Sequence, residues 1–281
     1  MLRQAGSLSR ARGEGQGEGH AGRTMTTQLI ITGLRGVPLV QQGDDLAAIT
    51  LTAYAETGLA PEDADVLVVA QKIVSKAEGR TVDVSSVEPS PQARTLAAEV
   101  EKDPRLVEVV LSESRRIVRH RPNLMIAEHR LGYVMANAGI DHSNVAPDDG
   151  SGIERVLLLP VDPDASAERL RADLAERCGK RVAVIISDSF GRPFRRGTVG
   201  IALGAAGLPA VIDWRGQPAL FGRILEVTET GFADEIAAAA SLVQGQAAEA
   251  TPIVLVRGLS WSAPDAPGLA LVRPPEHDLF R

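Results

Sequence analysis

The sequence predicts an α+β or mixed α/β fold, on three observations. Asp65–Ala70 (DVLVVA) is a continuous β-branched apolar run, the pattern of a strand buried on both faces. Asp162–Cys178 carries Leu170 and Leu174 at i,i+4 and is followed by Gly179, which reads as a helix with its C-terminal stop. Helical and strand patterns alternate only loosely along the chain, as they do in α+β and mixed α/β folds.

The elements follow in order. Leu29–Thr32 is a short apolar run closed by Gly33, so a strand. After the loop GLRGVPLVQQG, Asp44 or Asp45 caps a helix with Leu46, Ile49, Leu51 and Tyr54 that ends near Gly58. Residues 91–113 read as one or two helices, with Pro104 early in the second, where its missing N–H costs little. RIVRH, LMIAEHR and YVMAN, between Arg116 and Asn137, are three short strand-like pieces, and RVLLLP (155–160) is another. Val182–Ile186 is a strand, Ala233–Gln244 a helix, and Ile253–Val256 the closing strand.

Composition narrows the function. The 281 residues carry a net charge of −6, one cysteine and 44% apolar residues, an ordinary globular composition with no disulfide framework or CxxC zinc pair. The acidic balance and the low aromatic content (3%) argue against a nucleic-acid surface or a base-stacking platform. An anionic ligand therefore needs local positive charge or a carried metal ion. No apolar run approaches the ~18 residues of a membrane helix, and the chain reads as cytoplasmic, with no membrane partner. The first 24 residues, with six glycines and only two leucines, are expected to be a disordered leader, Met25 a plausible true start, and 25–281 one functional domain.

Familiar motifs are absent. The sequence has no GxxxxGK[ST], no GxGxxG after a strand, no GxSxG and no HExxH. Cys178 and the scattered histidines, His120 and His129 among them, read as structural.

Four segments place polar residues where core elements end. The first, QKIVSKAEGR (71–80), offers Gln71, Lys72, Ser75 and Lys76 at a strand exit, where lysines reach phosphate as point charges or a loop is simply solvated. ANAGIDHSNV (136–145) presents Asp141 and Asn144, oxygen donors of the kind hard cations take, or else an Asx-type turn. The third, SDSFGRPFRRG (187–197), delivers Asp188 and Ser189 at the end of an apolar strand, where open sheets place ligands, followed by Arg192, Arg195 and Arg196. A surface salt-bridge cluster is the plain alternative there. Val243–Pro252 alone says only helix end and loop.

Taken together these segments resemble the F420-0:γ-glutamyl ligase family. VPLVQQGDDLA (37–47), the segments above, GAAGL (204–208), ADEIAAAASLVQGQ (233–246) and PIVLVRG (252–258) follow in the family's order across about residues 29–258. The resemblance implies a family-specific mixed α/β ligase fold in an intertwined homodimer. It implies a GTP-dependent amide ligase that adds one or more L-glutamates to coenzyme F420-0 through an acyl phosphate. Mg²⁺ or Mn²⁺, up to two per site, a monovalent cation and GTP are the implied cofactors and co-substrate. The chain ends near the close of the ligase portion, so the nitroreductase-like activity of longer members is expected to be missing.

By the same resemblance, nucleotide contacts fall on Val37, Pro38, Leu39, Val40, Gln71, Lys76 and Asn144, and on Gln244, Gly245 and Gln246 in a loop running to Thr251. Metal ligands fall on Asp141, Asp188 and Ser189, with Gln246 at a second-metal position, and Arg192, Arg195 and Arg196 are the candidates to clamp glutamate or the precursor's phosphodiester. Three positions depart from the family pattern: Ser189 stands for threonine, Gly200 for an acidic residue, and Gln71 for a hydroxyl-bearing one. A metal-dependent phosphohydrolase and a non-catalytic nucleotide- or deazaflavin-binding protein are the alternative readings.

Overall fold

The computed structural model describes residues 28–141 and 154–279, which leaves the expected leader and Asn144 outside the described residues. In chain order the strands are β1 (Ile30–Gly33), β2 (Val66–Ala70), β3 (Thr81–Asp83), β4 (Ser114–Arg121), β5 (Leu124–His129), β6 (Val134–Ala136), β7 (Arg155–Leu157), β8 (Ala183–Gly191), β9 (Thr198–Ala206), β10 (Ile212–Asp213), β11 (Glu229–Thr230) and β12 (Ile253–Arg257). The α-helices are α1 (Leu46–Glu56), α2 (Gln71–Ala77), α3 (Pro91–Val100), α4 (Pro104–Ser112), α5 (Pro163–Cys178) and α6 (Phe232–Gln244).

The centre is a five-stranded sheet in the order β1-β12-β2-β8-β9. Only β2 and β8 run parallel; the other three pairings are antiparallel, so the sheet is mixed, which is compatible with the expected α+β class. The two-residue period of the strands divides the core between its faces. Leu67 and Val69, Val184 and Ile186, and Ile253 and Leu255 pack with Ala53, Tyr54, Leu170 and Leu174 of α1 and α5. Val66, Val68, Ile185, Val254 and Val256 point the other way and meet Ala233, Ile236, Ala237 and Ala240 of α6.

Helix ends obey local chemistry. Asp45 caps α1 through Ala48 N–H (3.0 Å), Asp162 caps α5 through Ala165 N–H (3.0 Å), and Gly179 closes α5 at φ 67°. Residues 91–113 form two helices, each opened by a proline after a capping residue, Ser90 or Asp103.

Two sequence expectations are corrected. Gln71–Ala77 is a helix that follows β2 directly, where a strand exit and loop were expected. β8 does not stop at Ile186 but continues to Gly191 and pairs with β9, so Asp188 and Ser189 lie within a hairpin strand. The ladder slips by one residue between Ile186 and Ser187, a bulge of the kind that re-aims side chains near functional sites. The strands β3, β9, β10 and β11 had no counterpart in the sequence reading.

A smaller layer, the antiparallel sheet β4-β5-β6, packs on α3 and α4 through Val100, Val107, Val110, Met125 and Ala127. Tyr133 joins it to the main sheet: its ring stands edge-on to Phe190 at 6.2 Å and its hydroxyl donates to the Leu203 carbonyl. A second tie is ionic. Buried Glu113 takes Arg80 Nη2 at 3.0 Å and Arg130 Nε at 3.1 Å, with His129 Nε2 at 3.3 Å. His129 Nδ1 accepts from Leu131 N–H (3.0 Å), which orients the ring.

Burial alone would push the Glu113 carboxyl up, but hydrogen bonds from His129 and Arg130 and the charges of Arg80 and Arg130 hold it at about 2. A lowered folded-state pKa contributes stability that is fully present above the unfolded value and is lost as pH falls toward the folded one. Glu113→Gln is therefore expected to destabilise the chain by about 2–3 kcal/mol at neutral pH and by little near pH 2, read by urea unfolding at several pH values.

Candidate functional site

A cleft of about 470 Å³ opens where β2 ends and β8 continues past it. Its first wall is α2. Gln71 and Ser75, at i,i+4, turn inward and bond to each other, Ser75 Oγ donating to Gln71 Oε1 at 2.9 Å. Lys72 and Lys76 have the same spacing one residue along, and both line the cleft. The second wall is the loop Val37–Val40. Val40 is buried in the core, Leu39 is 87% exposed at the rim, and Gly43 N–H ties the loop end to the Ala77 carbonyl of α2 (2.9 Å).

The third wall is the end of α6 and the loop behind it. Gln244 is the last helical residue, and its amide lies 3.3 Å from the Val68 carbonyl and 3.5 Å from Ser187 Oγ, fixing the helix end to β2 and β8. Gly245 turns the chain at φ 74°, a left-handed conformation that suits glycine. Gln246 follows along the cleft, and the Glu249 carboxylate accepts Ala247 N–H at 2.7 Å.

Asp188 forms the floor. It continues the row Val184 and Ile186, so alternation brings it out on the α2 side, and Ser189 follows it along the cleft. Burial pushes the Asp188 carboxyl up to about 6; the Ser189 N–H, 2.8 Å away, and the Lys72 charge oppose this, and the Asp141 charge adds to it. Asp141 stands beside the cleft. Its backbone pairs both ways with Leu157 at 2.9 Å, and its Oδ2 is 3.2 Å from Lys72 Nζ.

The structure thus brings Val37, Pro38, Leu39, Val40, Gln71 and Lys76 into one cleft with Asp188, Ser189, Gln244, Gly245 and Gln246. Asp141 joins them through Lys72. Arg192, Arg195 and Arg196 do not line it; they stand on the turn between β8 and β9, with Arg195 and Arg196 exposed. The Nε of Arg192 is buried and has no hydrogen-bond partner among the described residues. Lys72 is a site residue that sequence reasoning misses. Its signal was the helical spacing to Lys76, visible only once 71–77 is read as a helix.

The chain matches the family model F420-0:Gamma-glutamyl ligase over residues 35–258. The chain belongs to this family. It is therefore a ligase that forms carbon–nitrogen bonds. Among its relatives, the coenzyme F420:L-glutamate ligase of Methanothermobacter thermautotrophicus is 47% identical over 89% of this chain and 98% of its own length. The enzyme of the same name from Methanopyrus kandleri is 47% identical over 87% and 96%. The one from Natronomonas pharaonis is 44% identical over 88% and 92%. No helix among the described residues is long and apolar enough to cross a membrane.

The family match spans every wall of the cleft, from Val37 to Thr251. Asp188, the Ser189 hydroxyl and the Gln246 amide place oxygens along the cleft, and Asp141 places one beside it. An oxygen-only set beside a lysine ammonium suits a hard cation such as Mg²⁺ or Mn²⁺ better than zinc. Among the described residues no cluster of three histidine, cysteine or acidic side chains is present, in the cleft or elsewhere.

Proposed function

We propose that this chain joins L-glutamate to coenzyme F420-0 in F420 biosynthesis, consuming GTP with the help of Mg²⁺ or Mn²⁺. The observation that carries this reading is the cleft itself. The Asp188 carboxylate, two lysines, the Val37–Val40 loop and the Gln244–Thr251 loop converge on one volume inside the residues matched to the family, with Asp141 beside it in contact with Lys72.

Amide formation from a free carboxylate is unfavourable in water, so the acid must first be activated. In this reading the Val37–Val40 loop, Gln71 and the Gln244–Thr251 loop hold the nucleotide, as does Asn144 from outside the described residues. Lys76 adds positive charge on the phosphate side. A carboxylate oxygen of F420-0 attacks the γ-phosphorus, the bond to GDP breaks, and an acyl phosphate forms. The glutamate amine then attacks the acyl carbon, loses a proton, and phosphate leaves with the former carboxylate oxygen. Asp141, Asp188, Ser189 and Gln246 would hold the divalent metal, which supplies neutralisation of the charge developing during phosphoryl transfer. Arg192, Arg195 and Arg196 would close over glutamate or the precursor's phosphodiester when the hairpin turn meets substrate. A monovalent cation and repeated γ-linked addition belong to the same proposal.

Incubation with F420-0, L-glutamate, GTP and Mn²⁺, followed by mass spectrometry, tests it. A glutamyl mass gain with GDP formation supports the ligase. Phosphate release without a mass gain points to a phosphohydrolase, and neither product points to a binding protein.

A homodimer is part of the same proposal. The arm between β10 and β11 exposes Leu220 (91%), Phe221 (95%) and Val227 (85%), an apolar surface of the kind that partners cover. Light scattering is expected to give twice the chain mass; a monomer at micromolar concentration contradicts it.

A further inference from the structure

We propose that Lys72 is the resident counter-ion of the Asp141–Asp188 pair, and that a divalent ion enters this site only by displacing it. The inference rests on the reading of these carboxylates as metal ligands. Lys72 Nζ lies 3.2 Å from Asp141 Oδ2, and Lys72 and Asp188 line the same cleft. One ammonium therefore serves two carboxylates that repel each other.

The two partners differ in their freedom. Asp141 is fixed by paired backbone hydrogen bonds to Leu157, and its side chain is only 13% exposed. Lys72 sits on the first turn of α2, whose inward face is anchored by buried Gln71 and Ser75, while its own side chain is 37% exposed. Its ammonium can swing into the cleft on a flexible four-carbon stem without moving the helix. Charge decides when it does so. The two carboxylates carry about −2 together, the ammonium +1, and a divalent ion +2. An entering ion neutralises the pair and repels the ammonium beside it. Metal entry and release of Lys72 are thus one event. Lys72 holds metal affinity down in the nucleotide-free enzyme.

Mn²⁺ titration of the nucleotide-free full-length chain, followed by the electron paramagnetic resonance signal of free Mn²⁺, tests this without any turnover. Lys72→Met is expected to bind Mn²⁺ about tenfold more tightly than wild type, the effect of removing a half-exposed competing charge. Lys72→Arg retains the charge and is expected to stay within about threefold of wild type. Asp188→Asn in the same titration reports on the site itself and is expected to weaken binding. Unchanged or weaker binding by Lys72→Met, with Asp188→Asn weakened, overturns the counter-ion and leaves the metal site standing. Equal tightening by Lys72→Met and Lys72→Arg also overturns it, because contact rather than charge would then matter. Wild-type binding by Asp188→Asn overturns the metal reading, and the counter-ion with it. Thermal melting of each variant establishes that the titrated chain is folded.

Discussion

Replacing Asp188 with asparagine is expected to lower turnover by about a thousandfold or more, because several kcal/mol of transition-state charge stabilisation leave with the carboxylate. The fold should survive. Asp188 follows the buried row Val184 and Ile186, but its own carboxyl faces the cleft and accepts a short hydrogen bond from the next residue, Ser189, which an asparagine oxygen can also accept. Removing a charge that burial already disfavours does not leave a cavity or an unpaired group in the core. Turnover with saturating GTP and glutamate, measured beside a melting curve, separates the two effects. A variant that melts like wild type and turns over within tenfold of it would contradict the role assigned to Asp188.

The second large effect lies at the other end of the same sheet and concerns stability. Asp65, immediately before β2, is 1% exposed. Arg257, at the end of β12, donates Nε to one of its oxygens at 2.7 Å and Nη2 to the other at 2.8 Å. The same guanidinium reaches Glu62 (2.6 Å) and the Ala60 carbonyl (2.8 Å). Tyr54 Oη donates to Asp65 at 3.1 Å, and burial pushes the Tyr54 hydroxyl's pKa up. Arg257→Met fills much of the aliphatic volume and strands a buried carboxylate, which costs about 3–5 kcal/mol. At roughly 2–4 °C per kcal/mol for a chain of this size, the melting temperature should fall by about 10 °C. The double variant Asp65→Asn, Arg257→Met should recover part of that loss, because the charge and its partner leave together. Turnover below the melting transition should stay near wild type, since β2 runs from this pair at one end to the cleft at Ala70 at the other. A loss under 1 kcal/mol in urea unfolding would show that the pair is solvated in solution.

How much of this was legible in the sequence depended on which forces shaped each segment. The strands β2 and β12 announce themselves because burial on both faces leaves only apolar residues along them. Helix α5 announces itself through Asp162, Leu170, Leu174 and Gly179. Strand β9 does not, because its glycines look like breakers. A Cβ on Gly200 would come within 2.5 Å of the Ala237 carbonyl oxygen of α6, and one on Gly204 within 2.3 Å of the Pro163 carbonyl of α5. These glycines let two helices approach the strand, a long-range demand that local pattern does not carry. The same crowding bears on the departure at Gly200, since an acidic side chain there would collide with α6 unless the helix shifted. Helix α2 was hidden for the opposite reason. It starts from Ala70 with no side-chain cap and no turn residue to mark the change from strand to helix.

The site was legible in its parts rather than as a whole. The four polar segments could be picked out one by one, but nothing in their spacing says that the loop at 37–40 meets the loop at 244–251. That meeting follows from the sheet order, which sets β12 between β1 and β2, and from Gln244 bonding across to β2. The contact of Lys72 with Asp141 is equally invisible, since the two are brought together by tertiary packing.

The most direct measurement follows a single oxygen atom. F420-0 with its acceptor carboxylate enriched in heavy oxygen is incubated with GTP, L-glutamate, Mn²⁺ and the enzyme, and the phosphate and the glutamylated product are analysed together by mass spectrometry. Activation through an acyl phosphate sends one carboxylate oxygen out with the phosphate, so the first glutamyl addition to each F420-0 releases phosphate carrying one heavy atom, and any later γ-linked addition releases unlabelled phosphate. Glutamylated product formed without any labelled phosphate would contradict it.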